Sequence, residues 1–171
     1  MAWRQISEEE AKQHPLYGVG GWLLVFIILL ILGIALNVYS LLASGGSVDV
    51  GDMHIEADMG FRSILIVIGI VLNAIVVIFA FTKNPNFPTV ALAALWLGVA
   101  VSVVGMFIAP TITITGGSEQ MNQMIIDQVN ASYKSGGIIG VVVAVILAGL
   151  ISWYLTASKR VNVTYSHRVK G

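Results

Sequence analysis

Four polar side chains at alternate positions could do acid–base or metal chemistry: Asp52, His54, Glu56 and Asp58. Met53, Ile55, Ala57 and Met59 stand between and beside them. A period of two puts the acids and the histidine on one face of a strand and the apolar residues on the other. Carboxylates with one imidazole are a ligand set for a divalent cation. In a strand, however, successive residues on one face lie about 7 Å apart, wide for a transition ion whose bonds are near 2.1 Å. A helix would instead bring Asp52 beside Glu56, and His54 beside Asp58, at i, i+4. The alternation favours the strand, so a solvated acidic edge is expected rather than a tight divalent site. A histidine outside a secure cluster also supplies no base–nucleophile pair. The sequence therefore assigns no catalytic residue, no cofactor-binding residue and no metal ligand, and no cofactor is expected.

The elements that would hold this strand in place are apolar. Hydrophobic residues form 57% of the 171-residue chain and charged residues 11%, against roughly 25% charged in an average soluble protein. A chain this short cannot hide so much apolar surface in a water-soluble core, so lipid must be the solvent for much of it. Nine bases balance nine acids, and nothing points to a nucleic-acid partner. The absence of cysteine excludes disulfides, thiolate metal sites and cysteine nucleophiles together.

Four segments read as membrane spans, at residues 22–43, 64–81, 90–109 and 138–157. Each approaches or exceeds the ~20 apolar residues that a hydrocarbon core requires. None contains Asp, Glu, Lys, Arg or His, and one charge at mid-helix would cost roughly 2.5–3.5 kcal/mol on insertion. The expected fold is an all-α membrane protein: one domain over residues 1–171, a four-transmembrane-helix bundle. The first span is too long for a signal peptide and has no A-x-A cleavage pattern behind it, so it is expected to be retained. Arg4, Lys12, Lys83, Lys159, Arg160, Arg168 and Lys170 fall on one side of these spans, Arg62 and Lys134 on the other. Lys and Arg mark the cytoplasmic side, so both termini are expected to be cytoplasmic. Trp22, Tyr17, Trp153 and Tyr154 sit at the same side, where amphipathic rings anchor at headgroup depth.

Between the spans, Ser7-Glu-Glu-Glu10 has capping-box spacing and predicts a short helix over 8–13 that ends before Pro15. Two prolines and two asparagines in residues 82–88 predict a tight turn between spans two and three. Thr111-Ile-Thr-Ile-Thr115 alternates as residues 52–59 do, so the two segments are expected to pair as a small extracytoplasmic ribbon. Met121, Met124, Ile125, Val129 and Tyr133 recur at helical spacing between Ser118 and Gly136. They predict an amphipathic helix that lies over the bundle and stops at Gly136.

Membrane helices associate through small residues and a few hydrogen bonds. Gly136, Gly140, Ala144, Ala148 and Ser152 recur every four residues on span four. Span three carries its own stripe through Gly98, Ser102 and Gly105. Both stripes are expected to pack against neighbouring helices within one monomer. Asn73 and Ser102 fall near mid-membrane, with Asn37 further out. An amide at that depth requires a partner, and interhelical hydrogen bonding is the expected use.

Gly18-Val-Gly-Gly-Trp-Leu23 opens the first span, and Ser158-Lys-Arg-Val161 followed by Thr164-Tyr165 closes the fourth. This pair of motifs resembles the entry and exit motifs of the YdgK-like family of bacterial inner-membrane proteins, a family without an assigned activity. The resemblance covers almost the whole chain and implies the bacterial cytoplasmic membrane. Gly18, Gly20 and Gly21 allow a sharp turn or close backbone approach. Lys159 and Arg160 suit anionic headgroups on the cytoplasmic side, at about 1 kcal/mol per charge. With Trp22, these residues form a candidate interaction or lipid-contact motif. A charge-free interior argues against a coupled carrier. The expected function is that of a non-enzymatic accessory or scaffold protein that binds a membrane or envelope component, a membrane-protein partner or a second copy. The alternative is a small oligomeric channel or transporter.

Overall fold

The structure is a computed structural model that describes residues 3–43, 47–58, 60–108 and 111–170. Among the described residues, four helices are long and apolar enough to cross a membrane: α2 (Trp22–Ala43), α3 (Gly60–Phe81), α4 (Phe87–Met106) and α5 (Glu119–Ala157). Ahead of them stand strand β1 (Trp3–Gln5) and helix α1 (Glu8–Gln13). Strands β2 (Ser47–Val50) and β3 (Met53–Asp58) join α2 to α3, and β4 (Thr111–Thr115) joins α4 to α5. Helix α6 (Lys159–Tyr165) and strand β5 (Arg168–Lys170) follow α5. Chain order puts both termini and the α3–α4 turn at one end of the spans, the terminal end. The strands β2, β3 and β4 lie at the other, the sheet end.

Local rules explain most boundaries. The Ser7 hydroxyl accepts from the Glu10 amide at 3.2 Å and starts α1, as its spacing predicts. The Asn84 side chain accepts from the Asn86 amide at 2.9 Å and tightens the turn before α4, where Pro88 occupies the first turn and loses no helical bond there. Helix α3 starts earlier than the apolar run suggests. The Asp58 carboxylate accepts from the Gly60 amide at 2.8 Å and so brings Arg62 into the first turn. Helix α4 is shifted towards its start and ends at Met106; Ala109, the expected end of that span, lies outside the described residues.

Helix α5 corrects the sequence reading. No break occurs at Gly136, and the surface helix and the fourth span are one helix of 39 residues, about 58 Å at 1.5 Å per residue. Glycine interrupts helices in water, but in lipid a broken backbone bond finds no substitute. Met106 also closes over Gly137, its Cγ 2.9 Å from where a Cβ would stand. The Tyr133 hydroxyl donates to the Gly105 carbonyl oxygen at 2.9 Å, fixing the outer half of α5 to the end of α4.

The expected ribbon has three strands, not two. Strand β3 pairs antiparallel with β4, Ile55 opposite Ile114, and also with β2, Val48 opposite Ile55. The β2–β3 turn is Gly51-Asp52, with Gly51 at φ 65°, the positive φ that a two-residue hairpin needs at its first position. A second, two-stranded sheet pairs β1 with β5 and ties the two ends of the chain together.

Packing runs in chain order, α2 on α3, α3 on α4 and α4 on α5. The buried core is gathered at the terminal end. Leu23 and Ile27 of α2, Val76 and Ala80 of α3, Phe87 and Ala91 of α4 and Leu155 of α5 close around Val161 and Tyr165 of α6. Helix α6 thus acts as a stopper between the four long helices. Burying five successive residues of one short helix, Val161 to Tyr165, is possible only because every side of it meets protein.

Candidate functional site

The acidic strand forms as its alternation predicts. His54, Glu56 and Asp58 are exposed, while Met53 and Ile55 are half-buried. Asp52 falls in the turn and leaves the set. His54 finds its partner across the sheet rather than along it. Its Nδ1 lies 2.6 Å from the Asp49 carboxylate, and Asp49 is opposite His54 in the register. Glu56 faces Ser47 and Thr113, and Asp58 faces Thr111. Among the described residues, no group of three or more His, Asp or Glu side chains could hold a metal ion.

The two sequence motifs meet at the terminal end. The Gly18 amide donates to the Thr164 hydroxyl oxygen at 3.0 Å, and Arg160 reaches the Gly18 carbonyl oxygen at 3.5 Å. Gly18 and Gly21 have φ of 100° and 56°, a left-handed backbone that side chains disfavour. A Cβ on Gly20 would stand 3.1 Å from Arg160 Nη1, so the absence of a side chain there makes room for the guanidinium. Asn162 donates to the carbonyl oxygens of Thr156 and Ser158, at 3.0 and 2.9 Å, and holds the bend between α5 and α6. The Tyr165 hydroxyl donates to the Ala80 carbonyl oxygen at 2.9 Å, and its ring meets Phe87 at 4.3 Å between centroids. Burial pushes the Tyr165 phenol above its ordinary value. Lys83 lies over the Tyr17 ring at 4.6 Å. Of the candidate contact motif, Gly18, Gly20, Gly21 and Arg160 build an internal clasp. Trp22 and Lys159 remain exposed.

Above the stopper the helices leave a cleft of about 820 Å³ lined by α3, α4 and α5, with Asn37 contributed by α2. On α5 it runs from Ser132 to Ile151, about 28 Å at 1.5 Å per residue. The small-residue stripes expected to pack helix on helix form its wall. Gly136, Gly140, Ala144 and Ala148 line it, with Gly98, Ser102 and Gly105 of α4. A Cβ added at Gly98, Gly136 or Gly140 would meet nothing within 4 Å. Only Ala148, near the stopper, is fully buried. Close approach of α4 and α5 is made instead at Gly137 against Met106, and by Trp96 Nε1 donating to Ser152 Oγ at 3.2 Å.

Polarity grades along this cleft. Arg62 and Tyr133 stand at the sheet end, their guanidinium and ring 5.1 Å apart. Ser102 lies four residues before the end of α4 and Asn37 six before the end of α2. Asn73 is the deepest of these, and nearer the stopper the lining is Ala94 and Ile151. Ser102 donates to the Gly98 carbonyl oxygen of its own helix at 2.9 Å. The expected interhelical bonds of Asn37 and Asn73 are not made: among the described residues neither carboxamide has a hydrogen-bond partner. Arg62 has no carboxylate partner among them either. Sequence reasoning found the cleft's residues but not the space between them, because a small residue that admits a helix and one that admits a ligand look alike.

No protein-family profile, curated protein or solved structure matches this chain.

Proposed function

We propose that this chain is a non-enzymatic accessory protein of the bacterial inner membrane that binds another membrane component in the cleft between α3, α4 and α5. In this reading the terminal end is cytoplasmic and the sheet caps the periplasmic side. Kinship with the YdgK-like family is proposed on the two motifs, and their meeting in one clasp supports reading them as a unit. The observation that carries the function is the cleft itself. Its volume, about 820 Å³, lies within the range of about 300–1,000 Å³ typical of ligand sites. On α5 its wall includes Gly136, Gly140, Ala144 and Ala148, where bulky side chains would fill it.

A small oligomeric channel or transporter is the second reading, and the unpartnered Asn37 and Asn73 favour it as a polar path. The stopper weighs against conduction through one monomer, because Leu23, Ile27, Val76, Leu155 and Tyr165 close the terminal end. Purification in a mild detergent followed by native mass spectrometry tests the two. A stoichiometric lipid or protein on the wild type, lost from Gly140→Leu, supports binding in the cleft. No bound component, together with ion flux in protein-loaded liposomes, favours the channel.

A further inference from the structure

We infer that the cleft takes a glycerophospholipid, with the lipid phosphate at Arg62 and an acyl chain running along the cleft between α3, α4 and α5 towards Ile151. The inference rests on the cleft-binding function proposed above and names its ligand. Three features of the cleft select this occupant. The first is its polarity gradient, cationic at the sheet end and, past Asn73, aliphatic towards the stopper, which matches the head-to-tail order of an amphiphile in one leaflet.

The second is the state of Arg62. Its guanidinium is half-buried, rests on Tyr133 and has no carboxylate partner among the described residues. Asp58, the nearest acid in sequence, is engaged with the Gly60 amide. A planar guanidinium held at a cleft mouth matches phosphate oxygens in charge and in fork geometry. Ester carbonyl oxygens just below the phosphate are acceptors of the kind that the Asn37 carboxamide requires.

The third is size. At about 820 Å³ over about 28 Å of α5, the cleft is long and narrow, and an extended acyl chain follows it where a helix about 10 Å across would stand partly outside.

The test uses the purified full-length protein in a neutral detergent, titrated with dioleoyl phosphatidylglycerol or with dioleoylglycerol and read by native mass spectrometry. The two probes share their chains and differ in the phosphate-bearing headgroup. Phosphatidylglycerol is expected to bind one-to-one and about ten-fold more tightly, as a charge-assisted phosphate contact implies. Arg62→Gln should bring the two lipids within about two-fold of each other, and Arg62→Lys should retain only part of the preference, because its charge remains but the planar fork is lost. The wild-type comparison alone decides the matter if Arg62→Gln fails to fold. Equal binding of both lipids, abolished in Gly140→Leu, would overturn the phosphate assignment and leave the cleft-binding function standing. Phosphatidylglycerol binding that Gly140→Leu leaves intact would overturn both. Stoichiometric disulfide dimers of Gly140→Cys would replace the lipid with a second copy.

Discussion

The Gly18 amide donates to the hydroxyl oxygen of Thr164 at 3.0 Å, across 146 residues of sequence. That bond joins the entry of the first span to the helix that follows the last. It sits beside the Arg160–Gly18 contact and the β1–β5 pairing, so both chain ends close on one stopper. The buried core and both chain ends therefore meet at the terminal end, while the cleft half is tied by the β3–β4 pairing and the Tyr133–Gly105 bond.

Thr164→Val keeps the shape of this fully buried side chain but removes the acceptor. A donor left unpaired in a buried setting costs about 1–3 kcal/mol, so the variant should melt earlier in detergent. Thr164→Ser, which keeps the hydroxyl, should recover most of the loss. A melt unchanged in Thr164→Val would show that the clasp does not stabilise the fold.

Tyr165 makes that same half sensitive to alkali. Burial pushes its phenol above the ordinary value of 10.0, so the fold keeps a proton that the unfolded chain would release. The associated stability is whole below pH 10 or so, and it declines as the pH rises from there towards the folded value. Tyr165→Phe loses the bond to Ala80, costing on the order of 1 kcal/mol at neutral pH, yet its stability should fall less between pH 9 and 11, a window set by the phenol's ordinary value of about 10. Parallel curves for the two proteins in circular-dichroism melts would contradict this.

Much of the fold is legible in the sequence, and the misses share physical causes. The Ser7 cap and the start of α2 at Trp22 follow from local chemistry, and the structure has them there. Strands β1 and β5 are three residues each, too short for any periodicity to show. Helix α6 reads as an ordinary basic exit from the membrane because burial on all sides leaves no amphipathic pattern. Gly136 reads as a stop because glycine's weakness in a helix is a rule learned in water. The cleft residues were identifiable by type, but whether glycine admits a neighbour or leaves a space depends on how far the helices splay.

The two kinds of glycine on α5 should behave oppositely. Gly140→Ala adds a methyl where nothing lies within 4 Å, and alanine improves helix propensity by up to about 1 kcal/mol. That variant should be at least as stable as the wild type. Gly137→Leu must displace Met106 and separate α4 from α5, at roughly 1–3 kcal/mol for an overpacked contact. Thermal melts in one detergent compare them directly. Equal destabilisation would mean that the cleft wall is in fact a packing face.

Orientation is the prediction on which the periplasmic placement of the cleft mouth depends. Seven of the nine bases lie at the terminal end and two, Arg62 and Lys134, at the sheet end. The bias holds over short connections close to the spans, where positive charge governs insertion. Trp22 and Trp153 are 77% and 71% exposed at the terminal end, placed to meet headgroups from outside the bundle. Green fluorescent protein fused after Lys83 or Gly171 should therefore fluoresce, and alkaline phosphatase fused there should be inactive. Fusions after Gly51 or Gly117 should give the reverse. Phosphatase activity after Gly171 would invert the molecule or remove a span. Inversion would mean that Arg62 no longer meets the periplasmic leaflet, and the lipid it reads would have to come from the cytoplasmic one.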